Sequence, residues 1–272
     1  MSVSEREDRL PRRVRHPLRF RVVQVRRTEQ VSPTVLRVIF EGDELEAFYS
    51  PGFDDHVKLI FPDPETGEIV CPKVGPDGPI WPQGPRPIMR DYTPRAYDTI
   101  ARTLTVDFAL HDAGPATAWA LAAKPGDRLG VGGPRGSMML PDDYGFNLLM
   151  GDETALPAIA RRLEALDPAV KAHVVIEVDS LASRIDLPVR EQVCVVWATR
   201  DGDVPGESQV LMRELDALSL TDPDLFVWIG CESSMARALR LALRARGVPV
   251  NRIKAAGYWR RGVQASHETI DD

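Results

Sequence analysis

A change of periodicity near residue 142 constrains this chain more than any other feature. Before it, "RFRVVQVRRTEQ", "TVLRVIFEG", "HVKLIFPDP" and "RTLTVDFALHD" are β-branched, partly alternating segments separated by turn residues such as Pro51-Gly52 and Gly67. After "LPDDYG" the pattern becomes one of apolar strands, "FNLLMGD", "HVVIEVD", "VCVVWATR" and "LFVWIGCE". These alternate with helical stretches, "ALPAIARRLEAL", "SQVLMRELDAL" and "MARALRLALRARG". The first half is antiparallel barrel or sandwich patterning and the second is a parallel α/β sheet. This predicts a tail over 1–17, a β-barrel domain over 18–142, an α/β domain over 143–262 and a second tail over 263–272.

Two domains agree with 272 residues, and an apolar content of 43% with 27% charged residues is that of a globular chain. Against 34 basic residues stand 40 acidic ones, a net charge of -6, which argues against nucleic acid as the main partner. The cationic start "REDRLPRRVRHPLRFRVVQVRR" has no apolar core of signal-peptide length, and no later apolar run reaches membrane-spanning length. A cytoplasmic protein without membrane insertion is expected. Cys71, Cys194 and Cys231 are widely spaced and lack a C-x-x-C pair, so they read as small buried hydrophobes in reduced protein. No metal site is expected.

The densest cluster of ligand-type side chains is "MRDYTPRAYD", which follows a proline-rich connection from Pro72. Tyr92 offers a flat face, Thr93 a hydroxyl, and Arg90 and Arg95 are forked donors suited to phosphate. On an extended strand Arg90, Tyr92 and Pro94 would face one side, and Thr93 and Arg95 the other. A ligand with a ring and a pyrophosphate would use both; a half-buried tyrosine among solvated arginines is the alternative. Downstream, Gly114-Pro115-Ala116-Thr117 precedes a short helix with Trp119, and amides at such a start receive anions. "PGDRLGVGGPRG" is not a dinucleotide fingerprint, because Arg135 stands where the third glycine would be needed.

R-x-Y-T-x-R at Arg90 to Arg95, D-F-A-L-H from Asp107 to His111, G-P-A-T-A-W from Gly114 to Trp119 and the terminal "GYWRRG" together resemble the siderophore-interacting proteins. These are FAD-dependent ferric-siderophore reductases of the ferredoxin-reductase superfamily, and the resemblance runs from about Arg19 to Gly262. It implies that Tyr92 packs on the isoalloxazine, that Thr93 hydrogen-bonds the flavin, that Arg95 meets the pyrophosphate and that Arg90 supports the strand. Asp107, Ala109, Gly114, Ala116 and Thr117 would complete the FAD site with the side chains of His111 and Trp119. It also implies a nicotinamide site at the first strand-to-helix turn of the second domain, Asp152, Glu153 and Thr154, and at Glu232 and Ser233. There Thr154 would cap a helix. For Glu232 and Ser233 a plain helix cap by Ser233 or Ser234 is the alternative. Acidic residues suit a pyrophosphate poorly, so nicotinamide binding should be weak. Arg200, after the third apolar strand, either meets a 2'-phosphate or is solvated.

The activity implied is electron transfer from NAD(P)H, or from ferredoxin, through FAD to a ferric siderophore, by a monomer that uses no side-chain acid, base or nucleophile. Lys58, Arg135, Arg260 and Arg261 would form a cationic face for an anionic ferric complex, although each alone is also what a solvated surface carries. A general NAD(P)H:flavin or ferredoxin oxidoreductase and a non-enzymatic flavin-dependent siderophore binder are the alternatives.

Overall fold

The computed structural model describes residues 9, 11–110, 114–141, 144–263 and 268–270. Pro11–Met139 form one compact unit, and the remaining described residues form the other.

The first unit contains β1 (Arg12–Arg15), β2 (Phe20–Ser32), β3 (Val35–Glu41), β4 (Val57–Ile60), β5 (Lys73–Gly75), β6 (Gly78–Ile80), β7 (Met89–Tyr92), β8 (Pro94–Asp98) and β9 (Thr103–Ala109). Helix α1 (Pro115–Ala122), β10 (Arg128–Gly132) and β11 (Gly136–Met139) complete it. Seven strands make one sheet in the order β7-β4-β10-β2-β3-β9-β8, and every pairing is antiparallel. Alternation sets its inner face: in β2, Val23 and Val25 are buried while Gln24 and Arg26 are exposed. Val38, Phe40, Leu59, Leu104, Val106, Leu129 and Val131 fill the core.

β7 and β8 occupy opposite edges of this sheet, yet only Thr93 separates them. Laid flat, seven strands at about 4.8 Å spacing would hold the edges roughly 29 Å apart. Tyr92 Cα and Pro94 Cα are two virtual bonds apart, at most about 7.6 Å. The sheet must therefore curl until its edges meet, and Thr93 crosses the seam.

Three features depart from the sequence reading. The run from Arg90 to Arg95 is two strands, because the chain changes edges at Thr93 and Pro94 supplies no N–H to continue the ladder of β7. Arg12–Arg15 pair with β11, with His16 Nε2 2.7 Å from Ser137 Oγ, so this part of the basic segment is a strand and not a tail. The proline-dense connection contains the β5–β6 hairpin.

The second unit contains β12 (Phe146–Gly151), α2 (Leu156–Ala165), β13 (Lys171–Val178), β14 (Val193–Thr199), α3 (Val210–Ala217), β15 (Leu225–Glu232), α4 (Ser233–Ala245), β16 (Ile253–Trp259) and β17 (Glu268–Thr269). The sheet order is β14-β13-β12-β15-β16-β17, parallel except for β17. Every residue of β15 is buried, as a central strand covered on both faces requires. Helix α4 is amphipathic, burying Met235, Ala236, Leu239 and Leu243 at helical spacing. Cys231 is buried on β15, but Cys194 is exposed because it lies on the edge strand β14; Cys71 is half-buried. Among the described residues no helix is long and apolar enough to cross a membrane.

The chain runs outward from β12 to β13 and β14, then returns to β15 on the other side of β12. The order reverses between β12 and β15, and their C-terminal ends flank the crevice where open α/β sheets take ligands. Gly151 closes β12 there. A Cβ at Gly151 would lie 2.6 Å from the Gly230 carbonyl oxygen and 2.4 Å from Ala155 Cβ, so the strand ends meet only with hydrogen at this position. Gly151→Ala is expected to lower stability by about 1 to 3 kcal/mol, the usual penalty for overpacking. A denaturant midpoint that does not move would contradict this packing.

Candidate functional site

The seam gathers the aromatic and cationic groups of the first unit. Tyr92 on β7 reaches across to Phe108 on β9, with ring centroids 4.5 Å apart and planes at 44°. Burial raises the Tyr92 phenol above its ordinary value, with the nearby Arg90 charge pulling the other way, so the hydroxyl stays protonated. Arg90 is half-buried and donates to the Met89 carbonyl at 2.7 Å, fixing its stem to its own strand. Thr93 is buried at the crossing, and Arg95 follows half-buried on β8.

β9 lies beside β8 and brings Asp107 and Ala109 to the same region. The Asp107 carboxylate accepts two bonds from Arg37 at 2.7 and 2.8 Å, its cross-strand neighbour on β3. Its side chain is committed to that pair. Arg37 is a structural partner that sequence reasoning missed, because opposite charges so far apart in the chain become a signal only once the register is known. His111 lies outside the described residues.

Helix α1 starts with Gly114 in extended conformation and Pro115 in its first turn, and no side chain caps it among the described residues. Ala116 and Thr117 are buried in that turn, and Thr117 Oγ1 is buried with no hydrogen-bond partner among the described residues. A buried hydroxyl without a partner carries a desolvation penalty, which an incoming acceptor or donor would relieve. Trp119 packs against Phe40, Phe61 and Phe108 with centroids 5.6 to 6.2 Å away. It also lines a cavity of about 940 Å³ with Phe61, Pro115, Ala118 and Arg128.

At the switch point of the second unit the predicted residues are brought together, though in roles the sequence did not suggest. Asp152 is buried and accepts from the Thr154 backbone N–H at 2.9 Å and from Trp259 Nε1 at 2.8 Å. It caps a single 3-10 turn, Glu153–Ala155, so Thr154 lies inside that turn and caps nothing; α2 then begins at Leu156. Glu232, not a serine, caps α4, its carboxylate accepting from the amides of Ser234 and Met235. Ser233 instead donates its hydroxyl to the Trp259 carbonyl at 3.1 Å. Arg200 is neither solvated nor open to a 2'-phosphate. It is 6% exposed and bonds Glu153 twice, at 2.7 and 2.8 Å, with Glu177 and Asp179 at 3.6 and 3.8 Å.

The candidate substrate cations differ in how far the protein neutralises them. Lys58 faces Asp91 across the β4–β7 pair and bonds both its oxygens, at 2.8 and 2.9 Å. Arg261 pairs with Glu207. Arg135 and Arg260 are exposed and make no ion pair among the described residues. Arg135 follows Gly133, whose φ of 93° lies in the left-handed region and turns the chain out of β10.

Burial raises the Glu177 carboxyl to about 7, with the Asp152 charge adding and Arg200 opposing. Burial likewise brings Asp152 to about 6, against its bonds from Thr154 and Trp259. In the unfolded chain both titrate near pH 4, so between about pH 4 and 7 the folded state holds more protons. Stability contributed by these groups therefore falls as pH rises through that window. Glu177→Gln is expected to stabilise the protein more at pH 8 than at pH 5 in denaturant titrations; an equal effect at both would contradict the raised value.

Two family models match in tandem: a siderophore-interacting FAD-binding domain over residues 24–138 and a siderophore-interacting protein domain over residues 146–262. The NADPH-dependent ferric-chelate reductase of Escherichia coli is 40% identical over 92% of this chain and 97% of its own length. The ferric vibriobactin reductase ViuB of Vibrio cholerae is 32% identical over 91% of this chain and 93% of its own. A siderophore utilization protein from T. fusca superposes with a TM-score of 0.89 at 40% identity, over 94% of this chain and 98% of that one. With its curled antiparallel sheet, its seam of Arg90, Tyr92, Thr93 and Arg95 and its α/β second unit, the chain belongs to the siderophore-interacting protein family.

Proposed function

We propose that this chain is an FAD-dependent reductase of ferric siderophores that draws its electrons from NAD(P)H. The observation that carries this reading is the seam, where one crossing residue joins two sheet edges and sets Tyr92 and Arg95 within a few positions of each other. Tyr92 and Thr93 would hold the flavin ring, Arg95 the pyrophosphate, and Arg90 the strand beneath. The strand end at Asp107 and Ala109 would contribute backbone groups. The uncapped start of α1, from Gly114 through Ala116 and Thr117, suits an anionic or polar portion of the cofactor, and the partnerless Thr117 hydroxyl fits such a ligand. The partly open face of Trp119 supports its reading as a further contact, and His111 remains assigned to this site by motif. FAD, when bound, supplies the conversion between the electron pair of a nicotinamide and the single electron that iron accepts.

The protein's own part is to bind and orient. Hard oxygen donors of a siderophore favour Fe3+ over the larger, less charged Fe2+, so reduction loosens the metal and no protein ligand to iron is needed. Lys58, Arg135, Arg260 and Arg261 are the cations assigned to an anionic ferric complex. Arg135 and Arg260, which make no close ion pair among the described residues, should carry most of the attraction. The reading takes the working form to be a monomer and places the reaction in the cytoplasm. The turn of Asp152, Glu153 and Thr154 and the pair Glu232 and Ser233 stand at the switch point, the place for a nicotinamide nucleotide. Their carboxylates are committed internally, and this acidic setting supports weak nucleotide binding, with a protein donor such as ferredoxin as the second reading.

Purified protein supplied with NADPH, a ferric siderophore and a ferrous-iron trap should turn over only with FAD present. Arg95→Ala should weaken FAD binding roughly 10- to 100-fold, as expected for a lost charged hydrogen bond. Thr117→Val should raise the stability of the FAD-free protein while lowering FAD affinity by about 3- to 10-fold, since the same hydroxyl is unsatisfied without a ligand and used with one. Unchanged FAD affinity in both variants would overturn the assignment of this site.

A further inference from the structure

The C-terminal end of β16 is held to the switch point by four separate contacts. Trp259 Nε1 donates to Asp152 at 2.8 Å, and the Ser233 hydroxyl donates to the Trp259 carbonyl at 3.1 Å. The Arg261 backbone N–H donates to Glu232 Oε1 at 3.4 Å, and the Arg261 side chain pairs with Glu207. The β15–β16 register shifts between Cys231 and Glu232, so that Glu232 lies opposite Trp259. Gly206 packs into the same place: a Cβ there would be 3.0 Å from both Glu232 Cγ and the Trp259 ring, and its φ is 81°.

These contacts fall on the residues immediately before and after Arg260. Trp259 is anchored through its ring and its carbonyl, and Arg261 through its amide and its guanidinium. Arg260 is exposed between them, and its carbonyl accepts from the Val263 amide at 3.1 Å, closing a tight turn. Backbone direction at Arg260 is thereby fixed from both sides. Burial of a carboxylate is unfavourable unless its hydrogen bonds are made. Asp152 and Glu232 are both buried, and each divides its oxygens between a helix or turn cap and this segment. Two buried acids at a crevice suited to an anionic nucleotide are a poor arrangement for pyrophosphate and a good one for anchoring N–H groups.

We infer that Asp152, Glu232 and Ser233 are positioning residues that anchor Trp259 and Arg261, and that their purpose is to present Arg260 to the anionic ferric siderophore. The inference rests on the proposed reductase reading and on the assignment of Arg260 to substrate within it. It reassigns to substrate recognition three residues whose place at the switch point otherwise suggests the nicotinamide.

Trp259→Phe keeps an aromatic ring but removes the indole N–H together with the five-membered ring that carries it. Asp152→Asn keeps the cap but places an amide against that indole. The measurement is steady-state ferric reduction by the FAD-loaded protein, with one anionic and one neutral ferric siderophore, for each variant alone and combined with Arg260→Ala. An exposed cation is worth at most about a fivefold change in affinity, so Arg260→Ala should raise KM for the anionic substrate about two- to fivefold. Trp259→Phe should raise the same KM by a comparable factor, leave the neutral substrate unaffected and add nothing in the Arg260→Ala background; Asp152→Asn should do the same when the flavin is kept reduced chemically, so that an effect on the nucleotide does not enter. If Arg260→Ala leaves KM unchanged, the substrate assignment of Arg260 falls. If Arg260→Ala acts as expected but neither other variant does, or if their effects persist without Arg260 or appear equally with the neutral substrate, the positioning role is overturned.

Discussion

One peptide step across the sheet seam governs the first unit. Because Thr93 alone joins β7 to β8, the seven-stranded sheet has no flat solution, and its curvature follows from connectivity before any side chain is considered. The aromatic core follows from that closure. Tyr92 meets Phe108 only because the edges have been brought together, and Phe108 in turn packs against Trp119 of α1. The motif that signals function in the sequence is thus the segment that closes the fold. A seam not stitched by a continuous ladder is also where a ligand can lie along strand edges without breaking existing backbone bonds.

The second unit shows how a single buried cation is balanced. Arg200 lies among Glu153, Glu177 and Asp179, and only Glu153 is bonded at short range. Removing Glu153 would leave the buried Arg200 charge uncompensated, whereas removing the Glu177 charge relieves an excess of acid, so the members are not interchangeable. Glu177 relieves the excess of acid by holding its proton to about pH 7. Asp152, itself raised to about 6, and Glu232 are also satisfied by accepting N–H groups of turns, a helix and the C-terminal strand. The acidity that makes this crevice unusual for a nucleotide is therefore largely internal.

Much of this was legible in the sequence because periodicity and burial share a cause. Alternation in β2 and the apolar run of β15 report one-sided and two-sided burial, and α4 shows its buried stripe directly. What escaped depends on partners distant in the chain. Nothing local distinguishes Glu232 from Ser233 as the cap of α4, since serine is ordinarily the better cap; the choice is made because Ser233 is drawn to the Trp259 carbonyl. Arg200 sits in a turn sequence that suggests solvent, and only the parallel register of β13 with β14 places Glu177 beside it. Cys194 looks like a core residue within "VCVVWATR" until β14 proves to be an edge. The break at Thr93 was hidden for the same reason, because the residues on either side are equally suited to a strand.

The central claim is that electrons reach the ferric complex through a flavin held at this seam. It is tested most directly by reducing the FAD-loaded protein anaerobically with NADPH, mixing it with excess ferric siderophore, and following flavin absorbance and trapped ferrous iron together. The account predicts that flavin colour returns as iron is reduced, with two Fe2+ formed for each flavin reoxidised. Reduced flavin that stays bleached in the presence of the ferric siderophore, or iron reduced with no change at the flavin, would contradict it.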